Sequence, residues 1–108
     1  MNYSVKSITV FEKQTRRLSR KYPSLKADLL QLIQSLKQDP FQGTLIGSNC
    51  YKIRLAISSK GKGKSAGAPI ITHLVIIEKL VYLLSINNRS EKADLLPGQL
   101  KSLLKEIM

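Results

Sequence analysis

Apolar residues recur at helical spacing from Phe11 to Leu36 and at alternating positions from Tyr51 to Ile57. Tyr3 to Val10 is rich in β-branched residues and predicts a first strand. Phe11, Thr15, Leu18 and Tyr22 then recur at i, i+4, i+7 and i+11, which predicts a helix with one apolar stripe. Arg16, Arg17, Arg20 and Lys21 fall mostly off that stripe, so the helix is basic on its other side. Pro23-Ser24 breaks it, because a proline disfavours helix in the residue before it and serine is a good N-cap. Leu25, Leu29, Leu32, Ile33 and Leu36 form a second stripe that stops before Asp39-Pro40. The two helices make a hairpin.

After position 50 the period changes to two. Tyr51, Ile53, Leu55 and Ile57 alternate with Lys52, Arg54 and Ala56, so this strand has a buried face and a basic face. Ile70 to Ile77 and Leu80 to Ile86 are apolar on both faces and predict more central strands, joined by a short turn near Ile77-Glu78-Lys79. Leu96-Pro97-Gly98 then leads into a terminal helical pattern through Leu100, Leu103, Leu104 and Ile107. Burying an aliphatic side chain stabilises by ~1.5 to 3 kcal/mol, whereas ordering each residue costs ~1 to 2 kcal/mol of backbone entropy. The five aliphatics of the second helix therefore cannot hold the hairpin alone, and it must lie on the sheet. The expected fold is α+β, in the order β-α-α-β-β-β, with a twisted, mainly antiparallel sheet packed on a helical hairpin and a short C-terminal helix.

Composition narrows the partners. A chain of 108 residues predicts a single domain over 1–108, and a hydrophobic fraction of 43% predicts that it folds. The net charge of +11 points first to nucleic acid, then to an acidic protein. No apolar run approaches the ~20 residues of a membrane span, and the N-terminal residues lack the apolar centre of a secretory signal, so a cytoplasmic location and no membrane partner are expected. One cysteine, Cys50, cannot form an internal disulfide, and with one histidine it cannot complete a structural zinc site. Cys50 reads as a small buried residue. Neither a metal nor a small-molecule cofactor is expected.

The charge is concentrated. No carboxylate lies between Asp39 and Glu78, a stretch that holds Lys52, Arg54 and the glycine-spaced run Lys60-Gly61-Lys62-Gly63-Lys64-Ser65-Ala66-Gly67. Glycines permit positive φ and close backbone approach, while the lysines between them supply charge, a combination suited to phosphate. Lys52 and Arg54, about 6.5 to 7 Å apart along a strand, match roughly one nucleotide step. Arg89 and Lys92 would lie just beyond the last strand. The plainer alternative is a solvated basic face. A Walker-type loop is disfavoured, since Ser58 stands where the first glycine is required. His73 lies mid-strand between apolar residues and reads as a sheet residue rather than a catalyst. The acids Glu78, Glu91 and Asp94 show no dyad or metal-ligand spacing. The Arg16–Lys21 run is either a second nucleic-acid contact or a solvated helix face.

Taken together, the element order, the strand Tyr51-Lys52-Ile53-Arg54-Leu55-Ala56, the loop Gly61-Lys62-Gly63-Lys64-Ser65-Ala66-Gly67, and Val81-Tyr82-Leu83-Leu84-Ser85-Ile86 leading to Arg89-Ser90-Glu91-Lys92 resemble the RelE/ParE toxin superfamily, and its RelE/HigB-like branch most closely. The resemblance covers nearly the whole chain. It implies the toxin of a type II toxin–antitoxin pair, a metal-free endoribonuclease that cleaves mRNA on the ribosome, and a cognate antitoxin as partner. Arg54, Lys62, Lys64 and Arg89 are the expected catalytic cations, and Lys52, Lys60, Ser65, Lys92 and Asn87 the expected RNA contacts. Three positions depart from the family pattern: Pro69 stands where an arginine is common, Ala66 where the first of two paired glycines is common, and Asn87 where a tyrosine is common. These departures keep open a catalytically weakened RNA- or antitoxin-binding protein. A ParE-like gyrase inhibitor is the other alternative.

Overall fold

A computed structural model describes residues 2–58, 67–87 and 99–107. The chain runs β1 (Ser4–Ser7), α1 (Thr9–Lys21), α2 (Leu25–Gln38), β2 (Thr44–Gly47), β3 (Cys50–Ala56), β4 (Gly67–Val75), β5 (Leu80–Ile86) and α3 (Gln99–Leu104). The sheet order is β1-β5-β4-β3-β2, with β1 parallel to β5 and every other pair antiparallel. This is the expected α+β architecture with one strand more.

The first strand is shorter than the β-branched run predicts. Thr9 and Val10 already belong to α1, whose Phe11 is buried in the core. Packing of that ring overrides the local β preference. The amide of Ile8 donates to the carbonyl of Leu83 at 3.3 Å, and the Ser7 hydroxyl donates to Glu12 Oε2 at 2.8 Å, which fixes the strand-to-helix corner. At the next corner Ser24 occupies the N-cap position of α2, but no side-chain hydrogen bond caps the helix there. Its hydroxyl donates instead to Asp28 Oδ2 at 2.7 Å.

The unexpected strand is β2. All four of its residues are exposed, so no apolar alternation announces it. What makes it a strand is the turn that follows: Ser48 and Asn49 both take positive φ (51° and 57°) between the paired residues Gly47 and Cys50. Two positive-φ residues form the tight hairpin turn whose twist matches antiparallel strands, and this one folds β2 back on β3.

The helical hairpin covers one face of the sheet, called here the inner face. Leu25, Leu29 and Leu36 from α2 and Phe11 and Leu18 from α1 share one core with Ile53, Leu55, Ile70, Leu83 and Ile86. Cross-strand register assigns the faces: Ile53 lies opposite Ile70 and Leu55 opposite Ala68, all buried. Cys50, Lys52, Arg54 and Ala56 alternate onto the other, outer face. Leu104 of α3 is also buried and joins the same core. Among the described residues no helix is long and apolar enough to cross a membrane.

Candidate nucleic-acid interface

The outer face is built from cross-strand pairs that can be followed from β3 to β1. Arg54 lies opposite Pro69, Lys52 opposite Ile71, and Cys50 opposite His73. Ile71 continues to Ser85, and His73 to Tyr82, which in turn stands beside Lys6 of β1. Arg54 and Lys6 are exposed and Lys52 is half-buried. The five strands contain Lys6, Lys52 and Arg54 and no carboxylate, so the sheet itself presents charge of one sign. An anion approaching it meets no opposing group on the strands.

Pro69 and Asn87 both sit beside Arg54. Pro69 is the direct partner of Arg54, and the Asn87 amide donates to the Pro69 carbonyl at 3.1 Å. In an antiparallel ladder the N–H and C=O of one residue point to the same neighbour. The Pro69 nitrogen therefore faces the end of β5, where the ladder stops, and proline is tolerated in this otherwise central strand because only the last ladder bond is lost. Arg54, Pro69 and Asn87 form one continuous corner of the face.

Gly67 gives that corner its shape. A Cβ on Gly67 would come within 2.5 Å of Arg54 Cγ and 2.9 Å of Cδ, so the aliphatic stem of Arg54 lies across the glycine. The glycine-spaced run predicts Gly67 in a loop, as a source of backbone freedom. It is instead the first residue of β4, and its function there is to leave room for an arginine.

Asp28 joins the interface to the helices. Its carboxylate accepts the Ser58 amide and the Ser58 hydroxyl, both at 2.8 Å, together with the Ser24 hydroxyl at 2.7 Å. Burial pushes its pKa up, but the hydrogen bonds from Ser24 and Ser58 outweigh this and leave it below the ordinary carboxylate range. Ser58 is the last described residue before the lysine-glycine run, so an α2 carboxylate anchors the entry to it. Nothing in the spacing of Asp28 and Ser58, thirty positions apart, signals this contact.

His73 is half-buried on the outer face, with Nδ1 at 3.3 Å from Cys50 Sγ. Cys50 Sγ in turn donates to the Ser48 carbonyl at 3.4 Å. Burial lowers the His73 pKa against an opposing hydrogen bond with the Ser48 carbonyl, and burial pushes the Cys50 thiol up to about 11. A thiol so protonated is no nucleophile near neutral pH. Among the described residues no cluster of His, Cys, Asp and Glu is placed to hold a metal ion.

The basic run of α1 belongs elsewhere. Arg16, Arg17, Arg20 and Lys21 are exposed on a helix that packs against the inner face, so the sheet separates them from Arg54. Of the other expected site residues, Asn87 lies at the Pro69 corner, whereas Lys60, Lys62, Lys64, Ser65, Arg89 and Lys92 lie outside the described residues.

No protein-family profile matches the sequence. Solved structures do match the fold. One is an Escherichia coli RelE toxin, an arginine double mutant in the free state, at 17% identity and a TM-score of 0.62 over 98% of this chain and 94% of that one. Another belongs to the RelBE2 toxin–antitoxin complex of Mycobacterium tuberculosis, at 13% identity and a TM-score of 0.57 over 87% and 95% of the two chains. The chain has the RelE-like toxin fold.

Proposed function

We propose that this protein is the toxin of a type II toxin–antitoxin pair and acts on mRNA bound to the ribosome. The observation that carries the reading is the outer face: a RelE-like sheet whose strand charges are all positive, with Arg54 and Lys52 side by side on the strand that the family resemblance singled out. Cleavage by an adjacent 2′-OH builds negative charge on the phosphate, and cations held in place before the reaction stabilise that charge. Arg54 and Lys52 take this role from the sheet. Lys62, Lys64 and Arg89 are proposed to add to it, with Lys60, Ser65, Asn87 and Lys92 contacting the RNA. Neither a metal nor a cofactor is required, and the partner is an acidic antitoxin that covers this face.

Purified ribosomes carrying a defined message test the reading. New 3′ ends within the message, reduced at least tenfold by Arg54→Ala, are expected; an intact message at high toxin concentration overturns cleavage.

The pairing of Arg54 with Pro69 rather than a second cation, and the amide at Asn87, favour a second reading in which RNA is bound without turnover. Contact with about five phosphates would then lower single-strand affinity roughly a hundredfold between 50 and 200 mM salt, with no new 3′ ends. A flat salt response rejects RNA binding itself.

A further inference from the structure

Tyr82 and His73 are left over when the phosphate corner is accounted for. They are direct cross-strand partners on the outer face, each half-buried. The neighbouring strand places Lys6 next to Tyr82, while β3 brings Lys52 one side-chain step away, about 6.5 to 7 Å along the strand from the Cys50–His73 pair. The His73 ring is held by the Cys50 thiol at 3.3 Å, so one edge is fixed in the sheet. Tyr82 also packs against the hydrophobic core, and Cys50, Ile71 and Ser85 around the pair on this face are buried, so each ring is open on its outer part alone.

We propose that Tyr82 and His73 form a stacking step for bases of single-stranded RNA, a second subsite one to two nucleotides from the Arg54 corner, with Lys6 closing its far end on a phosphate. This rests on the reading of the outer face as an RNA surface and names what that surface recognises beyond charge. The chemistry is that of single-strand binders: cations track the backbone, and rings accept any base through its π-face. Such a platform adds affinity without demanding a sequence. The absence of carboxylates from all five strands suits a polyanion, and the spacing of the rings from Lys52 and Arg54 suits consecutive nucleotides.

The chain has no tryptophan, so Tyr82→Trp introduces a single reporter at the site. A dye-labelled single-stranded RNA hexamer gives binding by anisotropy while tryptophan emission reports stacking. Binding accompanied by quenching of that emission is expected. Tyr82→Phe should bind within about threefold of the parent, and Tyr82→Ala about ten- to a hundredfold more weakly. The log-log salt slope should be unchanged in Tyr82→Ala and smaller by about 0.7 in Lys6→Ala. A hexamer of ribose-phosphate lacking bases should bind the parent and Tyr82→Ala equally, which separates stacking from misfolding of the alanine variant. RNA that binds with tryptophan emission unquenched, or a base-free hexamer that binds the parent as tightly as RNA, overturns the stacking step and leaves the phosphate surface standing. Failure of every variant to bind RNA overturns both.

Discussion

Asp28 on α2 holds Ser58, two residues beyond β3, by hydrogen bonds of 2.8 Å to both its amide and its hydroxyl. A single carboxylate thus ties the helical layer to the end of the strand that carries Arg54. Asp28→Ala removes both bonds and leaves the Ser58 amide to water. We expect a loss of about 1 to 3 kcal/mol in chemical denaturation, with Asp28→Asn losing less because its amide oxygen still accepts one bond. Equal stability of parent and Asp28→Ala would show that this tie contributes nothing.

The same carboxylate gives the fold an acid limit. Its native pKa lies below the ordinary value of 3.8, so its contribution is complete above that value and is lost as pH falls through the lower native one. Thermal unfolding of parent and Asp28→Asn should therefore begin to approach one another as pH falls below about 4 and converge below the native pKa, since the variant has no group to titrate there. Parallel curves down to pH 2 would locate the acid sensitivity in other residues.

Gly67→Ala tests the shape of the corner without touching charge. The new methyl would meet Arg54 Cγ at 2.5 Å and the Leu55 carbonyl oxygen at 3.1 Å, so the arginine stem must swing away. The expected outcome is RNA affinity reduced toward that of Arg54→Ala, with the circular dichroism of the fold retained. Unchanged affinity would mean that the position of the guanidinium is not set by the glycine.

Restoring two of the altered positions should raise cleavage if the corner is the reacting site. Pro69→Arg places a second guanidinium across from Arg54 and returns an N–H to the end of the ladder; Asn87→Tyr adds a phenol beside it. Each restored donor at a charge-developing centre is worth about 10² to 10³ in rate. Single-turnover cleavage of ribosome-bound message by the double variant should exceed that of the parent by at least a hundredfold. No gain would show that the corner does not hold the scissile phosphate.

Cys50 is fully buried, with its thiol pushed up to about 11. Alkylation by iodoacetamide at pH 8 should be negligible in the folded protein and fast in denaturant, followed by mass shift. Rapid labelling of the native protein would place the thiol at the surface and disconnect it from His73.

Much of this fold is legible in the periodicity of the chain. The helical stripes from Phe11 to Leu36 and the alternation from Tyr51 to Ile57 each require one buried face, and both appear where the spacing puts them. Apolar spacing succeeds there because burial is the dominant force acting on those segments. It fails for β2, whose residues are all exposed and whose existence depends on a turn at Ser48 and Asn49, and it overextends β1, where the burial of Phe11 takes Thr9 and Val10 into a helix.

What the sequence by itself determined is the period of each element, the sign of the charge, and the placement of Lys52 and Arg54 on the face away from the core. Only the tertiary structure decided what those cations stand next to. The adjacency of Arg54, Pro69 and Asn87, the approach of Asp28 to Ser58, and the run from Cys50 through His73 and Tyr82 to Lys6 are products of strand order and register. Register is fixed when distant segments bury their apolar sides together, and a long-range contact of this kind leaves no periodic trace in the residues that make it.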